Sequence, residues 1–256
     1  MPAVRDNARQ VVALLPRTSD IDSWTMHGAR ALGELLGARV IGSPGQGANT
    51  PWDDDLNASR GCLLEAGGQI DDAFSAGRMP LLVAGTCSIC VSTLPVVARE
   101  RPDAWVVWLD AHPDFNTPDT TPSQFLGGMG LAAACGLWES GFGAGLDPAQ
   151  VVMFGIRDVD GQEQVLLETN GVGLVEKPAD LTDALDGRQV FLHLDLDILD
   201  PAVLPQTFPV DGGLDFDQLR RLLDLIAGAA DLIGAEIVGA HPDYADEIAE
   251  AVSPLL

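Results

Sequence analysis

The chain has 256 residues, 46% of them hydrophobic and only 5% aromatic, enough for one sizeable α/β core and short for two, so a single domain spanning residues 1–256 is expected. Its 38 acidic against 14 basic side chains give a formal net charge of −24. That balance lacks the positive footprint that drives phosphate-backbone binding, which argues against nucleic acid and anionic membrane as partners. No basic segment leading into an apolar stretch opens the chain and no apolar run reaches the ~20 residues of a membrane span, so a cytoplasmic protein is expected.

In chain order, strand-like apolar runs at Val11–Leu15, Arg39–Ile41, Leu81–Val83, Trp105–Leu109, Val151–Gly155, Val172–Val175, Val190–Leu194 and Leu232–Val238 alternate with stretches of helical spacing. The helical stretches are Ile21–Leu36, Leu56–Phe74, Ser88–Glu100, Gln162–Glu168 and Phe216–Ala229, with Ser19 or Asp20 as the first cap and Asp215 as a later one. Such alternation predicts an α/β fold, a three-layer α/β/α arrangement around a central, mostly parallel eight-stranded sheet. Two stretches without clear period, Gly42–Asp55 and Phe115–Gly128, read as long loops, the second a candidate substrate loop.

Two acidic clusters carry the chemistry. Asp110-Ala-His112-Pro-Asp114 follows the Trp105–Leu109 strand, and Asp195-Leu-Asp197-Ile-Leu-Asp200-Pro201 follows Val190–Leu194. Carboxylates two residues apart on a strand share a face, and both clusters fall where parallel strands end and ligand-binding loops begin. Gathering this much negative charge calls for a hard dication. The four cysteines, Cys62, Cys87, Cys90 and Cys135, are too few and scattered for a secreted disulfide scaffold. Cys87-Ser-Ile-Cys90 is a lone CxxC, compatible with a redox pair or with half a zinc site.

These segments, with Ala84-Gly-Thr-Cys87-Ser-Ile before them, match in order the three metal-binding motifs of the arginase or ureohydrolase superfamily, which the chain resembles from about Leu81 to Pro242. The resemblance implies a binuclear manganese site in which Asp110 and Asp195 bridge, Asp114 joins them at one ion, and His112 with Asp197 completes the other. It implies hydrolysis of a guanidine C–N bond in an amino-acid substrate, with Asp114, His112 and His241 as candidate catalytic residues. Asn116, Thr121 and Ser123 fall where arginases contact the α-carboxylate, and Asp160, with Glu163 nearby, where they contact the α-amino group. Asp200, before Pro201, reads as a turn residue. A homo-oligomer is expected because family members commonly form trimers or hexamers.

Three positions depart from the pattern. Cys87 stands where the family has a histidine ligand; a thiolate binds the same dication but is softer, so weaker manganese binding or competition by zinc is expected there. A small subgroup with this cysteine, the Nω-hydroxy-L-arginine amidinohydrolases, is similar also in Thr93-Leu-Pro-Val-Val-Ala-Arg99 and Leu126-Gly-Gly-Met129. Gly127 replaces a second histidine of many arginases. Gly239 replaces the glutamate that pairs with the guanidinium, leaving Glu236, His241 and Asp243 as candidate substitutes. His193 shares the strand face of Asp195 and reads as a supporting residue. The leading expectation is therefore a metal-dependent hydrolase of Nω-hydroxy-L-arginine or L-arginine. Its rivals are a hydrolase of another linear amidine such as a formimino amino acid, an inactive arginase-like subunit, and, weakest, a thiol oxidoreductase.

Overall fold

The computed structural model describes residues 8–256. Its elements are β1 (Arg9–Leu14), α1 (Ser23–Leu35), β2 (Arg39–Ile41), α2 (Trp52–Ala58), α3 (Arg60–Ser75), β3 (Met79–Val83), α4 (Cys90–Glu100), β4 (Trp105–Leu109), α5 (Gly130–Ala134), β5 (Val151–Phe154), α6 (Gly161–Asn170), β6 (Gly173–Val175), α7 (Pro178–Leu185), β7 (Gln189–Asp195), α8 (Phe216–Ala229), β8 (Asp231–Val238) and α9 (Ala245–Ala251). All eight expected strands form. They join one sheet in the order β2-β1-β3-β8-β7-β4-β5-β6, and every pairing is parallel, a stricter arrangement than the mostly parallel sheet expected.

A parallel sheet is buried on both faces, and this one is. Val83, Val107, Leu109, Leu192 and Ile237 pack on one side with Leu32 of α1, Leu181 of α7, Leu219 and Leu223 of α8 and Ile248 of α9. Leu82, Trp108, Met153 and Phe191 pack on the other with Ile70 of α3, Leu94 of α4, Leu131 of α5 and Leu167 of α6. The result is the three-layer α/β/α architecture. No helix among the described residues is long and apolar enough to cross a membrane.

Three helices, α5, α7 and α9, lie outside the sequence-based reading; they have five, eight and seven residues, too short for an apolar period to repeat convincingly. The expected helix Leu56–Phe74 is two helices broken at Ser59, whose backbone leaves helical geometry (φ −91°, ψ 1°) while its hydroxyl donates to the Asp55 carbonyl at 2.6 Å. Neither Ser19 nor Asp20 caps α1. Asp22 holds that position without a side-chain bond, and Asp20 turns inward to accept from the Thr18 amide at 3.0 Å and the Thr25 hydroxyl at 2.7 Å. Asp215 caps α8 as expected, in a reciprocal capping box with Gln218.

One close approach ties α1 to the loop after β8. A Cβ added to Gly28 would lie 1.8 Å from the Ala240 carbonyl oxygen. Alanine gains up to about 1 kcal/mol over glycine in a helix, but overpacking against backbone costs about 1–3 kcal/mol, so the clash wins. Gly28→Ala is expected to lower the urea midpoint of unfolding. Gly68→Ala in α3, where nothing lies within 4 Å of the added atom, should raise it.

Candidate metal centre and substrate cavity

Four adjacent strands at the middle of the sheet, β3, β8, β7 and β4, deliver their C-terminal loops to one place, as open α/β sheets do. Cys87 follows β3, Asp110, His112 and Asp114 follow β4, Asp195 ends β7 with Asp197 in the turn beyond, and Gly239 follows β8. All seven line one cavity of about 420 Å³. Cys87, Asp110 and Asp114 are buried, while His112, Asp195 and Asp197 are partly exposed.

The acids are held in tight turns. His112 Nδ1 lies 2.9 Å from an Asp197 carboxylate oxygen and 3.6 Å from Asp110. The other Asp197 oxygen accepts the Ala111 amide at 3.0 Å, Asp110 accepts the His112 amide at 2.6 Å, and Asp195 accepts the Asp197 amide at 2.9 Å. Cys87 Sγ lies 2.8 Å from Asp195 and 3.8 Å from Asp110. Asp114 sits at φ +48°, a left-handed conformation that few non-glycine residues adopt and that concentrates at functional sites.

Electrostatics state the same need for a cation. Burial, then repulsion from Asp197 and Asp114, raises the Asp110 carboxyl well above the usual carboxylate range. Burial likewise raises Asp114, with His112 opposing and Asp195 adding to it, and withdrawal from water followed by repulsion from Asp197 pushes Asp195 up to about 6. Burial opposes a charged His112, but its bonds to Asp110 and Asp197 win and push it up to about 12. Burial would raise Asp197 too, yet its bond to His112 leaves it lowered. Burial first and Asp195 second push the Cys87 thiol up. A dication among these groups would reverse that logic, holding carboxylates and thiol in their anionic forms. Two sets of donors, Cys87 with Asp110 and His193, and Asp110 with His112 and Asp197, each bring their ligand atoms within 4.8 Å of one another inside the set. By their chemistry they fit divalent cations.

Of the substrate candidates, Asn116, Ser123, Asp160 and Glu163 line the cavity and Thr121 does not; the Thr121 hydroxyl accepts the Gln124 amide at 3.1 Å, completing a turn. Asp160 caps α6, accepting the Gln162 and Glu163 backbone amides at 3.1 and 3.0 Å, and its second oxygen accepts from the Asn116 side-chain Nδ2 at 2.9 Å. Glu163 accepts the Phe115 amide at 2.8 Å, and burial pushes its carboxyl up to about 7. Asp200 is a turn residue, accepting from Ala202 and Gly212 at 2.9 and 2.8 Å. His241 is not part of the cavity wall. Its Nδ1 accepts the Asp243 amide at 3.2 Å and its ring packs between Trp24 and Tyr244.

The substitutions have physical reasons. A Cβ on Gly239, at φ +76°, would lie 2.6 Å from Asp195 Oδ1, so that position is closed to a side chain in this backbone, whereas one on Gly127 would lie 2.3 Å from the half-buried Phe125 ring, which would have to move. Glu236 does not compensate for Gly239: it is fully buried, outside the cavity, and bonded to His193 and Thr93. Trp24, Thr25 and Thr86 also line the cavity. A further stretch of the cavity lining, Gln206 to Val210, is pinned by Arg157, whose guanidinium donates to the carbonyls of Asp197 at 2.9 Å and Val210 at 3.1 Å. Sequence reasoning missed this stretch and Arg157, because nothing local marks a loop that reaches back over a cleft. All four cysteines are free thiols.

The Arginase family model matches residues 49–253. The chain is 38% identical over 252 residues to the N(omega)-hydroxy-L-arginine amidinohydrolase of Streptomyces lavendulae, covering 94% of this chain and 92% of that one. It is 33% identical over 195 residues to an arginase of Bacillus caldovelox, 68% of this chain and 64% of the relative. The native structure of the B. caldovelox arginase superposes with a TM-score of 0.79 at 25% identity, over 97% of both chains, and the Entamoeba histolytica arginase bound to L-ornithine shares the fold at a TM-score of 0.83 and 22% identity. Motifs, sheet order and sequence matches agree, and the chain belongs to the arginase family.

Proposed function

We propose that the chain hydrolyses Nω-hydroxy-L-arginine to L-ornithine and hydroxyurea at a pair of manganese ions. The observation that carries this reading is the convergence of Cys87, Asp110, His112, Asp114, Asp195 and Asp197 on the floor of the cavity whose wall carries Asn116, Ser123, Asp160 and Glu163. When bound, the two ions supply Lewis acidity and a water activated at neutral pH. Cys87, Asp110, His112, Asp114, Asp195 and Asp197 would hold them. The oxygen-rich donor set favours manganese over softer ions.

The rest of the work falls to side chains. Asn116 and Ser123 offer neutral donors to the substrate's α-carboxylate, and Asp160 with Glu163 offers carboxylates to its ammonium. Asp114, buried beside His112 and Asp195 in the cavity, takes the proton lost by the attacking water and returns it to the leaving δ-nitrogen. Gly239 leaves no room for a pairing carboxylate, and Thr25 and Thr86, which line the same cavity, would offer hydroxyls to the hydroxyguanidine end. Hydroxylation makes a guanidine less basic, so it depends less on such a partner, and the relative from S. lavendulae bears the matching name.

The test is a substrate panel. Manganese-loaded protein is incubated separately with Nω-hydroxy-L-arginine, L-arginine, agmatine and N-formimino-L-glutamate, and the released amine is quantified against a chelator-treated control. Chelator-sensitive ornithine, faster from the hydroxylated compound than from L-arginine, is expected. Product from the formimino compound alone, or from none, would overturn the assignment.

A further inference from the structure

Behind the cavity floor runs a line of buried polar groups that the reaction does not touch. Thr93 Oγ1 donates to Glu236 at 2.7 Å, the other Glu236 oxygen lies 2.7 Å from His193 Nδ1, and His193 Nε2 lies 3.3 Å from Cys87 Sγ. Thr93, His193 and Glu236 are each 0% exposed. The sheet itself makes the line: Trp108, His193 and Glu236 are register partners on β4, β7 and β8, and laterally paired residues of a parallel sheet point to the same face. Trp108 stacks on the imidazole with ring centroids 3.6 Å apart and planes 4° from parallel. The imidazole is thus fixed on one face by Trp108 and at Nδ1 by Glu236, with Nε2 aimed at sulfur.

A buried carboxylate and imidazole are costly to keep in a core. Neither lines the cavity, and the cavity-lining side chain that His193 reaches at hydrogen-bonding distance is Cys87, at 3.3 Å. Resting on the reading of Cys87 as a ligand, we propose that His193, oriented by Glu236 and Trp108, is a positioning residue that donates its Nε2 hydrogen to the Cys87 sulfur, a second hydrogen being shared between Nδ1 and the Glu236 carboxyl. An N–H bond to a metal-binding thiolate fixes its side-chain rotamer and draws charge from the sulfur, so that it donates less strongly and sits better among hard oxygen donors. The family's ligand histidine is thereby replaced by two residues in series, a thiolate at the metal and an imidazole behind it.

The experiment uses the full chain, stripped with chelator and reloaded with Co²⁺, whose thiolate charge-transfer absorption reports on the sulfur directly. His193→Phe keeps a flat ring against Trp108 and removes the N–H. It is expected to move the band to lower energy and weaken cobalt binding by about 10–100-fold. His193→Gln, which restores an N–H donor, should recover part of both. In a Cys87→Ala background the His193→Phe change should have no further effect on affinity, because the two residues act as one unit. An unchanged band and affinity in His193→Phe would overturn the inference. So would an equal loss of affinity in the Cys87→Ala background, which would make His193 a ligand itself. Should His193→Phe fail to fold, Glu236→Gln serves, with a smaller shift in the same direction expected and no shift contradicting. A wild-type protein with no thiolate band would refute Cys87 as a ligand and the inference with it, whereas ornithine release by the manganese enzyme reports on the proposed reaction separately.

Discussion

Asp195→Asn is expected to abolish turnover of Nω-hydroxy-L-arginine, lowering kcat/KM by at least about 10³-fold, while the metal-free protein becomes no less stable than the wild type. The loss follows from position. Asp195 ends β7 between Cys87 and the Asp197 turn, so its charge would serve both cation sites, and without bound dications water keeps its pKa of about 15.7 instead of about 7. The stability half follows from electrostatics. In the metal-free cluster, withdrawal from water and repulsion from Asp197 push the Asp195 carboxyl up to about 6, so its charge is unfavourable above that pH and the neutral amide relieves it. Asparagine keeps an oxygen that can accept the Asp197 amide. A plain loss of fold would lower the melting temperature together with activity and bound metal. The expected pattern separates them, and melting curves with metal analysis of the variant read it. Asp200→Asn, at a half-buried turn outside the cavity lining, is the control that should retain activity.

Removing the metals should make stability fall as pH rises from 5 to 8, and restoring them should cancel most of that slope. The Asp195 carboxyl rises to about 6 and that of Glu163, through burial, to about 7, while Asp110 and Asp114 move in the same direction. A group whose pKa is higher folded than unfolded binds more protons in the folded state. Its contribution is complete below the ordinary carboxylate pKa of about 4 and is lost as pH climbs through the folded value. The losses from Asp195 and Glu163 therefore fall between about pH 4 and 7. His112, raised to about 12 by its carboxylate partners against the effect of burial, declines in the same sense from about pH 6.5 upward. A dication takes over the role of those protons. At 100 times its Kd it adds about 2.7 kcal/mol, and the gain in melting temperature should be larger at pH 8 than at pH 5. Equal gains at both would contradict the electrostatic description of the cluster.

Much of this was legible in the chain itself. The strands read correctly because a doubly covered parallel sheet demands continuous apolar runs such as Trp105–Leu109 and Val190–Leu194. The acids read as a group because each cluster follows such a run. Other features lie between elements distant in sequence and have no local signature. The order that sets β8 between β3 and β7 is one; the row Trp108, His193, Glu236, which needs three strands in register, is another. Thr121 and His241 resemble site residues by type and position, but in the folded chain each satisfies a nearby backbone amide. Glu236 illustrates the same limit, since its place near the last motif suggested a substrate contact whereas its register makes it a partner of His193.

The most direct test of the central claim is to run the manganese-loaded protein with Nω-hydroxy-L-arginine in ¹⁸O-labelled water and identify both products by mass spectrometry. Hydrolysis of the bond to the δ-nitrogen gives unlabelled ornithine and hydroxyurea carrying one ¹⁸O at its carbonyl, and both should disappear with chelator. Citrulline in place of ornithine would mean that the other C–N bond breaks, and no product at all would mean that the cavity does not perform this reaction; either result would contradict the account.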